Sequence, residues 1–231
     1  RAQEIFRNEV IRQAEQRAAN GRRDPWKVRL WGVGNETWGC GGNMTVEYYA
    51  HEYRRYATYT RDFPNAPLYR VASGARNDDY HWTDVMMREC FKGPIGGPML
   101  QGLSLHYYTV PGDWPPKHPA TGFDHAGWKW VMALGWKMED YVRGHRAVMD
   151  RYDPAAKTSL VVDEWGSWYA VEPGTNPGFL HQQQTIRDAV LASLTLNIFI
   201  NHCERVRIAN LAQTVNVLQA VALTEEGGGR L

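Results

Sequence analysis

The chain has few cysteines and no arrangement around them: Cys40, Cys90 and Cys203 are odd in number, far apart and outside any C-x-x-C spacing. A disulfide framework and a cysteine-ligated zinc site are both excluded, and a reducing compartment is favoured. H-E-x-x-H, G-x-S-x-G and P-loop patterns are missing as well, which removes the zincin, nucleophile-elbow and nucleotide-phosphate chemistries they signal. Residues 1–20 are rich in Arg, Glu and Gln and contain no apolar run fit for a signal peptide or membrane span. Excess charge of either sign is absent too. Twenty-six basic side chains face 25 acidic ones without a basic block, so no electrostatic footprint exists for nucleic acid or a membrane surface, and a neutral partner is expected.

Two near-motifs fail on their chemistry. "GVGNET" (32–37) approaches a dinucleotide fingerprint, but Thr37 replaces the third glycine and Glu36 would set a negative charge where a pyrophosphate must sit. No nicotinamide cofactor is therefore expected, and the eight histidines show no metal-ligand spacing. "NMT" (43–45) fits a glycosylation sequon but reads better as a helix cap.

What the chain has in quantity is aromatic: 10 Trp and 12 Tyr in 231 residues, enough both to fill a core and to stack on sugar faces. Apolar periodicity predicts an amphipathic helix over 2–19, carried by Ile5, Phe6, Val10, Ile11 and Ala14, and then a repeating strand–helix unit. Strands are expected at 27–33, 66–74, 100–108, 158–166 and 206–209. Helices are expected from Asn43 or Thr45 onward, at 82–89, 128–151 and 180–202, with a last one through Leu218 and Val221. The Pro/Gly/Trp stretch 109–127 exceeds an ordinary βα connection and reads as a lid or substrate wall. Alternating strands and helices give an α/β protein with a parallel sheet, either a (β/α)8 barrel or a doubly wound sheet. A complete barrel needs about 250 residues, and five strands make this one incomplete.

"WGVGNE" (31–36) and "LVVDEWG" (160–166) are apolar strands that each end in a glutamate. The first is expected to be buried on both faces. Two strand-end carboxylates on one cleft are the minimum for glycoside hydrolysis, one protonating the leaving oxygen and the other attacking or activating water. His106 and Tyr108, two apart at another strand end, point to one face and can orient such groups. An ordinary rim carboxylate and a core aromatic pair remain the bland alternatives.

"WGVGNETWGCGGNMTVEYYAHEYRRYA", "LSLHYYTVPGDW", "LVVDEWGSWYAVEPGTNPGFL" and "RVRIANLAQTVNVLQA" together resemble the α-L-arabinofuranosidases of glycoside hydrolase family 51, from about Pro25 to Leu223. The resemblance implies a (β/α)8 TIM barrel represented by about strands 4 to 8, the family's β-sandwich domain lying outside residues 1–231. It implies a retaining exo-hydrolase releasing terminal α-L-arabinofuranosyl groups from arabinan, arabinoxylan or their oligosaccharides. Glu36 would be the acid/base after the fourth strand and Glu164 the nucleophile after the seventh. Asn35 would bond the sugar 2-hydroxyl, His106 and Tyr108 would serve the site, Tyr108 touching the nucleophile, Gln213 would line the −1 subsite, and Trp165 and Trp168 would form an aromatic wall. A cytoplasmic homo-oligomer is implied for the full-length protein. A retaining β-glycosidase or endoglucanase of the same clan, or a dead sugar-binding homologue, are the competing readings.

Overall fold

The computed structural model describes residues 2–62, 65–93, 96 and 98–224. After helix α1 (Ala2–Ala19), strands β1 (Leu30–Val33), β2 (Tyr69–Arg76), β3 (Gly102–Thr109), β4 (Ser159–Ser167) and β5 (Val206–Leu211) alternate with helices α2 (Val46–Tyr59), α3 (Tyr80–Cys90), α4 (His125–Tyr152) and α5 (Ile186–Asn201). The strands form one parallel sheet in the order β1-β2-β3-β4-β5. Each helix packs on the next, α2 on α3, α3 on α4 and α4 on α5. Sequential parallel order with a single layer of neighbouring helices is the arc of a barrel, here a half-barrel, and not a doubly wound sheet, where the order reverses.

Local signals set the helix starts. Thr45 is extended and its hydroxyl accepts from the Tyr48 N–H at 3.3 Å, which gives the "NMT" threonine its capping role. Asp79 and Asp124 cap α3 and α4, and Thr185 with Asp188 closes a capping box on α5. From α2, Val46, Tyr49, Ala50, Tyr53 and Ala57 are buried at helical spacing. They join Leu103, Leu105, Leu160, Val162, Met86, Met138 and Phe199 in one core between sheet and helices.

Three sequence expectations need correction. β1 is not buried on both faces. It pairs only with β2, its other edge has no partner among the described residues, and Leu30 and Trp31 are 56% and 46% exposed. Helix α1 forms, but Val10 and Ile11 stay exposed, so its amphipathic pattern is not used for packing within the described residues; the side chains of Ile5 and Phe6 lie outside them. No helix runs through Leu218 and Val221. Asn216 and Leu218 take φ of 57° and 50°, incompatible with a right-handed helix, and the backbone folds back so that Val221 and Ala222 donate to Gln213 and Thr214.

Candidate active site

The C-terminal ends of β1, β3 and β4 deliver the polar cluster. After Val33 the chain turns sharply: Glu36 takes φ 43°, and its carbonyl accepts from the Gly39 and Gly41 N–H groups. A β-carbon on Gly41 would sit 1.6 Å from the Asn35 carbonyl oxygen, so only glycine lets this turn close. The turn is pinned to β2, since the Thr37 N–H and hydroxyl both reach the Ser73 hydroxyl, at 3.2 and 3.1 Å. A left-handed non-glycine residue held in this way is local strain of the kind found at functional positions.

His106 joins the strand ends. Its Nδ1 lies 3.0 Å from Glu36 Oε1 and 3.3 Å from Glu164 Oε2, while Nε2 lies 3.1 Å from Asp163 Oδ1. Asp163 and Glu164 are adjacent and in a regular strand would face opposite sides. They share His106 because the β3–β4 register shifts there: Ser104 pairs with Val161 but His106 with Glu164, which inserts one extra β4 residue. Tyr108, on the same face as His106, donates its hydroxyl to Glu164 Oε1 at 2.7 Å.

Burial would push the His106 imidazole down, but hydrogen bonds to Asp163 and Glu36 and the charges of Asp163 and Glu164 outweigh it and raise it to about 9. The same bond from His106 holds the Glu36 carboxyl below its usual range against the effect of burial, helped by the Cys40 thiol, 3.3 Å from Oε2, and by the Arg76 charge. Burial and Glu164 raise the Tyr108 phenol, which stays a donor. One donor atom each from Glu36, His106 and Glu164 falls within 4.8 Å of the others, close enough to hold a divalent cation. With both ring nitrogens engaged by carboxylates, the imidazolium already supplies the positive charge such an ion would bring.

A cleft of about 390 Å³ opens beside Glu36, walled by Trp38, Arg76, Tyr108, Trp114 and Trp168. Trp168 packs edge-on against Tyr108 and Trp114, with centroids 4.9 and 4.6 Å apart. Trp114 comes from the long loop after β3. Trp165 does not join this wall: in β4 it takes the side opposite Glu164, is 2% exposed and packs against Phe199 of α5. Asn35 is exposed at the strand end next to Glu36. Gln213 is exposed beyond β5 and lines a different opening with His181 and Asn216. Among the described residues it makes no hydrogen bond to either glutamate. The residues that sequence reasoning missed are Asp163, Cys40, Arg76, Trp38 and Trp114; of these only Asp163, in the "DE" pair, and Trp114, in the flagged loop, carried a signal.

Two carboxylates bridged at the mouth of a parallel barrel arc beside an aromatic cleft are the layout of a barrel glycosidase. Residues 6–114 match the family model described as α-L-arabinofuranosidase 1 domain, and residues 163–230 match the α-L-arabinofuranosidase C-terminal domain. The chain is 47% identical over 213 residues to an intracellular exo-α-L-arabinofuranosidase of Bacteroides ovatus, covering 92% of this chain and 40% of that protein. It superposes on the family 51 arabinofuranosidase of Xanthomonas axonopodis pv. citri with a TM-score of 0.87 and 54% identity, over 92% of this chain and 42% of that one. An α-L-arabinofuranosidase of Thermotoga maritima in complex with arabinose gives a TM-score of 0.72 at 25% identity, over 93% of this chain and 40% of that one. The chain belongs to the α-L-arabinofuranosidases of glycoside hydrolase family 51, and it spans about 40% of the length of these relatives.

Proposed function

We propose that the protein carrying this chain is a retaining exo-α-L-arabinofuranosidase that removes terminal non-reducing arabinofuranosyl groups from arabinan- or arabinoxylan-type glycans. In this reading the five strands are the fourth to eighth of an eight-stranded barrel, and the sandwich domain lies outside residues 1–231. The protein acts inside the cell as a homo-oligomer. No metal or organic cofactor takes part.

Glu164 attacks the anomeric carbon and forms a glycosyl ester while Glu36 protonates the departing oxygen. Glu36 then removes a proton from the water that cleaves the ester. The Tyr108 hydroxyl fixes Glu164 Oε1 and leaves Oε2 toward His106. The resting cluster titrates as a unit, and its proton is held on His106, 3.0 Å from Glu36 Oε1, the oxygen that must receive it before the first step. Asn35 serves the sugar 2-hydroxyl and Trp168 the aromatic wall.

The observation that carries the reading is the spacing of the pair. A carboxylate oxygen of Glu36 lies within 4.8 Å of one of Glu164, which supports the close pairing of about 5–5.5 Å expected for retention over the about 6.5–9.5 Å of inversion. Proton NMR of the first-formed sugar tests it. α-L-Arabinofuranose appearing before its mutarotation products is the expected result; the β-anomer appearing first would overturn retention, and no hydrolysis of any arabinofuranoside would overturn the activity.

A further inference from the structure

The cleft beside Glu36 carries more positive charge than a neutral glycan needs. Glu36 lines it and Glu164 does not. Resting on the arabinofuranosidase reading, the space on the proton donor's side belongs to the leaving group. One wall comes from the segment after β1 and the end of β2, where the Arg76 guanidinium lies over the Trp38 ring, 5.0 Å from its centroid. The other comes from the segments after β3 and β4, Trp114 and Trp168; Lys117 does not itself line the cleft, but its ammonium lies against these two rings, 3.8 Å from the Trp114 centroid and 5.1 Å from that of Trp168.

Neither cation has a carboxylate within ion-pair distance among the described residues, unlike Arg70, Arg151 and Arg205, which reach Asp62, Asp84 and Asp153 at 3.0, 2.9 and 3.0 Å. The acids nearby in sequence are engaged elsewhere or turned away. Asp79 caps α3 through the Trp82 N–H, and Asp113 shares a turn with Lys117 without pairing to it. Lys117 is also half-buried, and its desolvation lowers the ammonium pKa, so an anion brought to it gains more than at an open surface.

We infer that this cleft receives a leaving group bearing a carboxylate, such as a uronic-acid-substituted glycan. Its sugar faces stack on Trp38, Trp114 and Trp168, and its carboxylate is drawn by Arg76, which lines the cleft, and by the charge of Lys117 seated on the Trp114 and Trp168 rings. Planar guanidinium suits the two carboxylate oxygens, and a cation already placed over an indole loses less freedom when it binds.

The test uses the full-length enzyme and two substrates that differ only in charge, 4-carboxybenzyl and 4-carbamoylbenzyl α-L-arabinofuranoside. Their alcohols leave with similar ease, so the ratio of kcat/KM reports the carboxylate alone. At low salt the ratio should favour the acid about tenfold, the scale of one partly exposed charge-assisted hydrogen bond. It should fall toward unity in 0.5 M NaCl and in Lys117→Gln and Arg76→Gln separately, the salt series requiring no variant to fold. A wild-type ratio near one, or one that survives salt and both substitutions, overturns the proposal. If Arg76 serves only to tune Glu36, Arg76→Gln will shift the pH profiles of both substrates equally and leave the ratio intact, which also overturns it. Turnover of the neutral amide with no preference for the acid leaves the arabinofuranosidase reading standing while this one falls; no turnover of either removes both.

Discussion

His106 Nε2 lies 3.1 Å from Asp163 Oδ1, and this contact turns the imidazole into a cation set between two glutamates. Without Asp163, only the two glutamates would oppose the cost of burying the charge.

Asp163→Asn should therefore lower the His106 pKa from about 9 back toward its ordinary 6.5. The alkaline limb of kcat/KM against pH should move down with it, while the protein still folds. The stability consequence has a definite sign. Because the folded pKa is raised, the contribution is complete below pH 6.5 and disappears as pH rises through about 9. Thermal midpoints measured from pH 6 to 10 should fall with rising pH in the wild type more than in His106→Gln. Parallel curves would show that the cluster is not protonated as described.

Gly41→Ala should disable the site from a distance. The new methyl would meet the Asn35 carbonyl carbon at 2.8 Å and its oxygen at 1.6 Å, so the turn holding Glu36 at positive φ must open. A drop in kcat/KM of about a hundredfold is expected, as for catalytic groups misplaced by about 1 Å. Gly39→Ala provides the control, since its nearest neighbour would be 3.8 Å away. Equal losses in the two variants would show that the close approach at Gly41 is not what matters.

The two tryptophans of "EWGSW" should separate stability from binding. Trp165 is core, so Trp165→Ala should cost about 3–5 kcal/mol of folding free energy. Trp168 stands in the cleft wall with Tyr108 and Trp114, so Trp168→Ala should chiefly raise KM for oligosaccharides. Denaturant titration and steady-state kinetics on both variants read the difference directly.

That pair also shows what was legible in the residues. Strand-then-helix periodicity gave the order of the five strands and of the four helices between them, because buried strands and half-buried helices leave different apolar periods. Glu36, Glu164, His106 and Tyr108 could be singled out because each closes an apolar strand. Counting by two along "VVDE" could not reveal the extra residue in β4, so Asp163 stayed out of the site; Trp165 was placed in the wall by the family resemblance, against the alternation that sets it opposite Glu164. β1 was misjudged for another reason. Its apolar side chains are suited to burial, but burial depends on neighbouring chain, and nothing among the described residues covers that edge.

The exposed edge makes residues 1–231 on their own a poor solute. Leu30 and Trp31 sit on a strand whose outer edge has no partner among the described residues, and Ile186, Val190, Leu196 and Ile200 expose an apolar stripe on α5. Expressed alone, this polypeptide should self-associate, as open edges and large apolar patches do. A monomer in sedimentation with one cooperative unfolding transition would show that these surfaces do not need covering.

On the proposed retaining mechanism, the sharpest division falls between the two glutamates, because their tasks belong to different steps. Glu164→Ala removes the attacking oxygen that Tyr108 orients, so no glycosyl ester can form with any leaving group and turnover should fall to background. Glu36→Ala removes only the proton donor, which a leaving group such as dinitrophenolate scarcely needs. The ester should then form quickly and break down slowly for want of a base, giving a burst of dinitrophenolate followed by a slow phase. Azide needs no base, so it should speed the slow phase in Glu36→Ala and leave α-arabinofuranosyl azide after two inversions. In Glu164→Ala it can only attack directly, in the space the carboxylate vacated, and yield the β-azide. On the proposed mechanism each outcome belongs to one side chain: Glu36 lines the cleft, while Glu164, which does not line it, is bonded by Tyr108 and His106 at its edge. A burst and the α-azide from Glu164→Ala would exchange the two roles and, with them, the side of the sugar on which that cleft lies.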